Sequence, residues 1–354
     1  MKRFVFLLLV IAISTVTNTF SQDNNKCKIS GKVFDSKTKK PMGDVNVYLA
    51  GTLHGSTTDA NGDFSISKIP IGNYNLVVSR IGYEPVVISI MLFDETPIEK
   101  TFYLKEKVYD IDEVTVNAEE PDKWKDQLAR FKKYFFGQTG FSADCEIENE
   151  YDLNFEEGES GELTAKSENP LTIINKNLGF EIYCELAAFK YSPGTQIVHS
   201  LYYPYFRELN PENESESREW RKNRKYACFL SLNRVLIALA KSSYRLKEYR
   251  FAKCEGFAFD CEPIHPEQID VKFNPESGLY TISFPFHLGI KNRITGNESY
   301  ISLPYGYAQF NKYGFVKRAY SIEVIGEFAK LGISTALPCE FYDDILISDY
   351  LERM

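Results

Sequence analysis

The run Ile29-Ser30-Gly31-Lys32-Val33-Phe34-Asp35, with Ser56-Thr57-Thr58-Asp59-Ala60-Asn61-Gly62-Asp63-Phe64-Ser65-Ile66 behind it, decides the fold of the N-terminal part of the chain. Apolar and polar residues alternate with period two, as in strands with one face in a core and one in water. The alternation continues through Val45, Val47 and Leu49, then Tyr74, Leu76 and Val78, then Val86, Ile88 and Ile90, and closes at Phe102 and Leu104. It breaks at Lys40-Pro41, Asn61-Gly62, Pro70-Ile71-Gly72-Asn73 and Asp94 to Pro97. Each break pairs the fixed φ of proline or the positive φ open to Gly and Asn with a change of direction. With a short strand at 56–58, this predicts about seven strands in roughly 80 residues, a small β-sandwich.

Ile29-Ser30-Gly31-Lys32-Val33, Pro41 with Val45-Asn46-Val47, Gly55 through Phe64, Ile69-Pro70 with Gly72, and Ile81-Gly82-Tyr83 resemble the carboxypeptidase regulatory-like domain, a transthyretin-like sandwich. The resemblance covers about residues 27–106. It implies an accessory module of the sort found beside peptidase domains and in front of TonB-dependent receptors. Residues 111–116, Ile-Asp-Glu-Val-Thr-Val, resemble the segment that follows this sandwich in such receptors, although a last strand running into a charged linker reads more simply.

Residues 1–21 read as a secretion signal: Lys2 and Arg3, an apolar run over 4–13, and small residues at Thr19 and Ser21 before a cut ahead of Gln22. Ten apolar residues fall short of the roughly 20 that span a bilayer. The mature chain is therefore expected in the periplasm or at the outer-membrane surface, with no transmembrane helix. Loss of the leader takes the net charge from −8 to about −10, which argues against nucleic-acid binding. The seven cysteines contain no Cys-x-x-Cys. Cys254 and Cys261 are spaced either for a disulfide across a hairpin or for a buried reduced pair.

After a linker over 107–121, residues 122–354 read as an α+β domain with two substantial helices, so the whole chain is mostly β or α+β. One helix is expected over 123–136, capped by Asp122, stopped by Gly137, and buried along Trp124, Leu128, Phe131 and Phe135. The other is expected over 216–244, a stretch without Gly or Pro. Strands are expected at 163–166, 171–175, 180–186, 196–203, 271–273, 279–284, 300–303, 307–310, 315–318 and 321–325. Trp124 through Phe136, residues 170–176 with Leu178-Gly179-Phe180, Tyr203 through Leu209, and Trp220 with Asn223-Arg224 and Ser231-Leu232 also resemble a group of uncharacterised envelope proteins of Gram-negative gut-type bacteria, which implies a common fold and no activity.

No catalytic pattern emerges. The histidines are His54, His199, His265 and His287, and none opens the His-x-x-Glu of a zinc carboxypeptidase. There is no Gly-x-Ser-x-Gly elbow, phosphate loop or dinucleotide fingerprint. Asp59 to Asp63 lacks the glycine and glutamate positions of a calcium loop and reads as a turn. Glu156-Glu157 and Asp343-Asp344 are paired carboxylates without a spacing that singles them out for glycoside hydrolysis. Neither a metal nor another cofactor is expected.

The candidate binding residues are Tyr203 and Tyr205, within the aromatic run 202–206, and Arg221 and Arg224, within the basic run 218–225. Aromatic rings offer a sugar an apolar face with a polar tip, and guanidinium groups hold anions. Core packing and a solvated helix face are the plainer roles for the two runs. The chain thus reads as an exported, non-enzymatic binding or assembly module for a protein or glycan. An envelope enzyme using a carboxylate pair of the C-terminal domain, and a structural spacer, are the alternatives. A cleft holding two carboxylates about 5–10 Å apart marks the enzyme, and an aromatic-lined surface without them marks the binder.

Overall fold

A computed structural model describes residues 26–107, 121–242, 244–256, 261–318 and 320–342. The leader, the 111–116 segment, most of the linker and Asp343-Asp344 lie outside the described residues. No described helix is long and apolar enough to cross a membrane.

The sandwich has its seven strands: β1 (Lys26–Asp35), β2 (Asn46–Leu49), β3 (Gly55–Thr57), β4 (Asp63–Pro70), β5 (Gly72–Ser79), β6 (Val86–Leu92) and β7 (Ile98–Leu104). They form one sheet in the order β4-β1-β7 and another in the order β3-β2-β5-β6. The alternating residues Ile29, Val33, Val47, Leu49, Leu76 and Val78 are fully buried between them. The Asp59 to Asp63 stretch is a turn, in which the Asp59 carboxylate accepts the Asn61 and Asp63 amides and Gly62 takes φ +75°.

Gly31 has a separate role. β1 and β7 run parallel with Gly31 opposite Lys100, and a Cβ on Gly31 would stand 1.7 Å from the Lys100 carbonyl oxygen. Backbone cannot retreat as a flexible side chain can, so Gly31→Ala should cost about 3 kcal/mol. Urea unfolding of the two proteins measures this, and a loss below 1 kcal/mol would show that β7 shifts freely.

Beyond the sandwich, α1 (Pro121–Phe135) covers a six-stranded sheet. The helix begins one residue before the expected Asp122 cap, because Pro121 supplies a helical φ at the first position. Leu128, Phe131 and Phe135 are buried as their spacing predicts, and the half-buried Trp124 donates its indole N–H to the Leu153 carbonyl at 3.0 Å. The sheet holds β8 (Cys145–Ile147), β9 (Leu153–Glu157), β10 (Leu163–Ser167), β11 (Leu171–Asn175), β12 (Phe180–Ser192) and β13 (Ile197–Glu208). β12 and β13 are longer than expected. β12 meets β11 with its first half and β10 with its second, and β13 runs beside both halves.

The expected helix over 216–244 is two helices, α2 (Glu214–Leu230) and α3 (Leu232–Ala240). Ser231 breaks it without Gly or Pro. Its backbone is extended at ψ 143°, and its hydroxyl accepts the Arg234 amide while donating to the Cys228 carbonyl. A last β unit packs on α3: β14 (Tyr249–Cys254), β15 (Cys261–Ile264), β18 (His287–Asn292), β19 (Glu298–Ser302) and β21 (Glu323–Gly326) in one sheet, and β16 (Asp270–Asn274), β17 (Leu279–Ser283) and β20 (Tyr307–Phe310) in another. The strand expected at 315–318 is reduced to a single bridge between Phe310 and Val316. Cys254 and Cys261 are disulfide-bonded across β14 and β15, and Cys27, Cys145, Cys184, Cys228 and Cys339 are buried as thiols outside that bond.

Candidate binding site at the junction of the units

The sandwich is clamped to the rest of the chain. In the loop after β2, the Gly51 amide donates to the Pro204 carbonyl at 2.7 Å, and the Phe206 amide donates to Thr52 at 3.1 Å. The loop thereby covers the free edge of β13, where the missing N–H of Pro204 is tolerated. The Cys339 amide donates to the Gly51 carbonyl at 2.8 Å, and Glu340 accepts the Leu53 amide and faces His54 at 3.2 Å. Tyr48, 1% exposed, donates its hydroxyl to the Tyr203 carbonyl at 3.1 Å and stacks on Tyr205. Tyr313 and Cys339 complete the sandwich core from far along the sequence.

The two candidate tyrosines point to one face of β13, towards the sandwich, and do different things. Tyr205 is a docking residue whose ring lies between Tyr48 and the Gly55 backbone. Tyr203 lines a cavity of about 520 Å3 where the three units meet. Its hydroxyl has no partner among the described residues, and burial raises its pKa. Tyr202, on the other face, meets Phe135 edge-on and is core-like.

The candidate arginines do not join them. Arg221 is exposed on α2. Arg224 is only 11% exposed and is committed: it donates to the carbonyls of Leu178 and Gly179, pairs with Glu208 at 2.6 Å, and lies over the rings of Phe180 and Phe341. It staples α2 to the turn between β11 and β12.

The cavity takes groups that no local pattern marks. Asn73 and Asn75 come from β5, Asn233 from α3, and Asn311, Arg318 and Tyr320 from the last β unit. Asn311 is a frame: it donates to the Asn73 carbonyl and accepts the Tyr313 and Phe315 amides. Asn233 donates to the Tyr313 carbonyl. At the mouth, Arg318 lies 3.9 Å over Tyr305, and Tyr320 meets His199 edge-on. No Asp or Glu is among the described residues lining this cavity. The carboxylates considered from sequence are elsewhere: Glu156 faces Lys166, and Glu157 pairs with Arg130. No three His, Cys, Asp or Glu side chains gather as a metal requires among the described residues. The arrangement can stack on a ligand and exchange hydrogen bonds with it.

Glu185 is the charged group of the docking face. It accepts a hydrogen bond from Ser79, which also meets the Tyr183 hydroxyl at 3.2 Å. Burial raises its pKa above the ordinary 4.5, outweighing the Ser79 hydrogen bond and the Lys107 charge, which lower it. The folded state therefore holds a proton that the unfolded chain releases. This contribution is fully present below the unfolded value and is lost as pH rises through the raised one. Stability should thus fall above about pH 4.5 by more in the wild type than in Glu185→Gln. Urea midpoints of both proteins from pH 4 to 8 measure it, and parallel curves would refute it.

Residues 29–116 match the family model of the CarboxypepD_reg-like domain. No curated protein matches the chain. Among solved structures it is similar to a type II cohesin–X-dockerin complex of Acetivibrio cellulolyticus (21% identity, 22% of this chain and 52% of that one, TM-score 0.17). It is also similar to BcpA, the major pilin subunit of Bacillus cereus (17% identity, 23% and 31%, TM-score 0.20). The chain spans about half the length of these two, or less. A Bacteroides uniformis protein provisionally described as carbohydrate binding aligns over 85% of this chain and 98% of its own at 9% identity, with a TM-score of 0.19. Scores this low carry no argument about the ligand.

Proposed function

We propose that the chain is an exported, non-enzymatic binding protein of the Gram-negative cell envelope that holds a glycan in the junction cavity. The carrying observation is the cavity wall: aromatic rings and side-chain amides, with no carboxylate among its described residues. Concave, mostly apolar sites with a few convergent polar groups are where small ligands bind, and they favour domain junctions. The Cys254–Cys261 bond suits an oxidising compartment, in line with the leader read at residues 1–21. Tyr203 is the stacking residue in this reading, Arg318 and Tyr320 guard the mouth, and the sandwich completes the site by docking.

The test is a glycan-array and envelope pull-down screen on residues 22–354. Saturable binding of a glycan that weakens tenfold or more in Tyr203→Ala is the expected result, with far-UV circular dichroism unchanged. Recovery of an envelope protein with no glycan signal would replace this reading with an assembly role. Turnover of a glycan would replace it with an enzyme.

A further inference from the structure

We propose a second site, for a neutral saccharide, in the cleft between α2 and the β18–β19 hairpin. This cleft, about 470 Å3, adjoins the junction cavity through a wall that includes Phe328 and Leu331 but opens on its own. Its volume lies within the roughly 300–1,000 Å3 of small-ligand sites. The site does not rest on the function proposed above.

Three segments far apart in sequence converge on it. Glu219, Asn223 and Tyr226 fall on one face of α2 by their spacing of four and three. Gln138 comes from the turn after α1, held in place by its backbone amide, which donates to the Lys330 carbonyl at 2.7 Å. Asn292, Asn297 and Ser299 come from the hairpin.

The amides divide into frame and free groups. Asn223 donates to the Asn177 carbonyl at 3.0 Å, and Asn292 donates to Phe229 and accepts the Ile294 and Thr295 amides. These bonds fix the walls. The side-chain amides of Gln138 and Asn297 have no partner among the described residues, and neither has the Glu219 carboxylate. Tyr226 is 49% exposed and presents a ring backed by Phe141, 6.1 Å away.

That combination selects a ligand class. An amide donates and accepts at adjacent atoms, matching neighbouring hydroxyls, each of which also does both. The half-exposed ring provides a stacking face for the C–H side of a sugar. No Lys or Arg is among the described lining residues, while Glu219 and Glu327 are, which disfavours anionic polymers. Glu327 is paired with Lys330 at 2.6 Å, leaving Glu219 as the carboxylate available to hydroxyls.

The experiment titrates residues 22–354 with neutral tri- to hexasaccharides of glucose, galactose, mannose and N-acetylglucosamine, read by calorimetry and by product analysis. At least one should bind, with affinity falling tenfold or more in Tyr226→Ala and in Asn297→Ala. Tyr226 is exposed and Asn297 half-buried, and circular dichroism checks the folding of both variants. No binding by the wild type, or binding indifferent to both substitutions, overturns the proposal. A sugar lost only in Tyr203→Ala overturns it and leaves the junction site standing. Cleavage abolished by Glu219→Gln overturns it in favour of a hydrolase.

Discussion

Glu248→Ala should destabilise the protein by about 3–5 kcal/mol, the cost of leaving a buried charge without its partner. The charge is Arg234 of α3, whose side chain is fully enclosed. Its Nε and Nη2 donate to one Glu248 oxygen at 3.3 and 2.9 Å. Its guanidinium lies 4.1 Å from the centre of the Phe229 ring. Water cannot replace the carboxylate there. Because the cap Ser231 and the first residues of α3, Leu232 and Asn233, stand in the cavity wall, the loss should reach ligand binding as well. Replacing both partners, as in Arg234→Met with Glu248→Leu, should recover most of the stability, since a buried pair is worth little against apolar residues of similar volume. Urea unfolding of the single and double variants measures both effects. A single-variant loss under 1 kcal/mol would mean that Arg234 reaches solvent by a small rearrangement.

This pair also marks what the sequence leaves unreadable. The sandwich was legible because its signals are local: period-two alternation buried Ile29, Val33, Val47 and Leu76, and Gly62 turned the chain. The α1 stripe was legible for the same reason. Ser231 was not, because a serine breaks a helix only when its hydroxyl takes up the cap, and nothing in residues 228–234 announces that it will. The reach of β12 and β13 was missed because their second halves are fixed by partners distant in sequence: that of β12 lies between β10 and the first half of β13, and that of β13 lies against the first half of β12. Of the candidate residues, Tyr203 stood out as part of an aromatic run. Asn75, Asn233, Asn311 and Arg318 carry no local mark and meet only through tertiary structure. Arg224 looked available because a basic run hides which guanidinium is tied to backbone carbonyls.

Tyr48→Ala should cost about 3–5 kcal/mol, and this loss should fall on the docking of the sandwich more than on the sandwich itself. Tyr48 faces away from the sandwich interior, into the six-stranded sheet, with its ring between Tyr183 edge-on and Tyr205 stacked and its hydroxyl on the Tyr203 carbonyl. Removing the ring opens a hole at the centre of that contact and frees the strand that carries Tyr203. We expect the wild type to unfold in one transition. The variant should unfold in two, with residues 22–106 melting as a separate unit, since all of the sandwich's buried core except Tyr313 and Cys339 lies within them. Tyr48→Phe keeps the ring and should cost only the hydrogen bond, about 1 kcal/mol. If the junction cavity is the binding site, Tyr48→Ala should also weaken ligand binding although Tyr48 does not line it, because Tyr203 would lose its anchor. Calorimetric unfolding with and without ligand separates the outcomes. A single transition in Tyr48→Ala with wild-type affinity would show that the clamp at Gly51, Thr52 and Glu340 suffices to hold the units together.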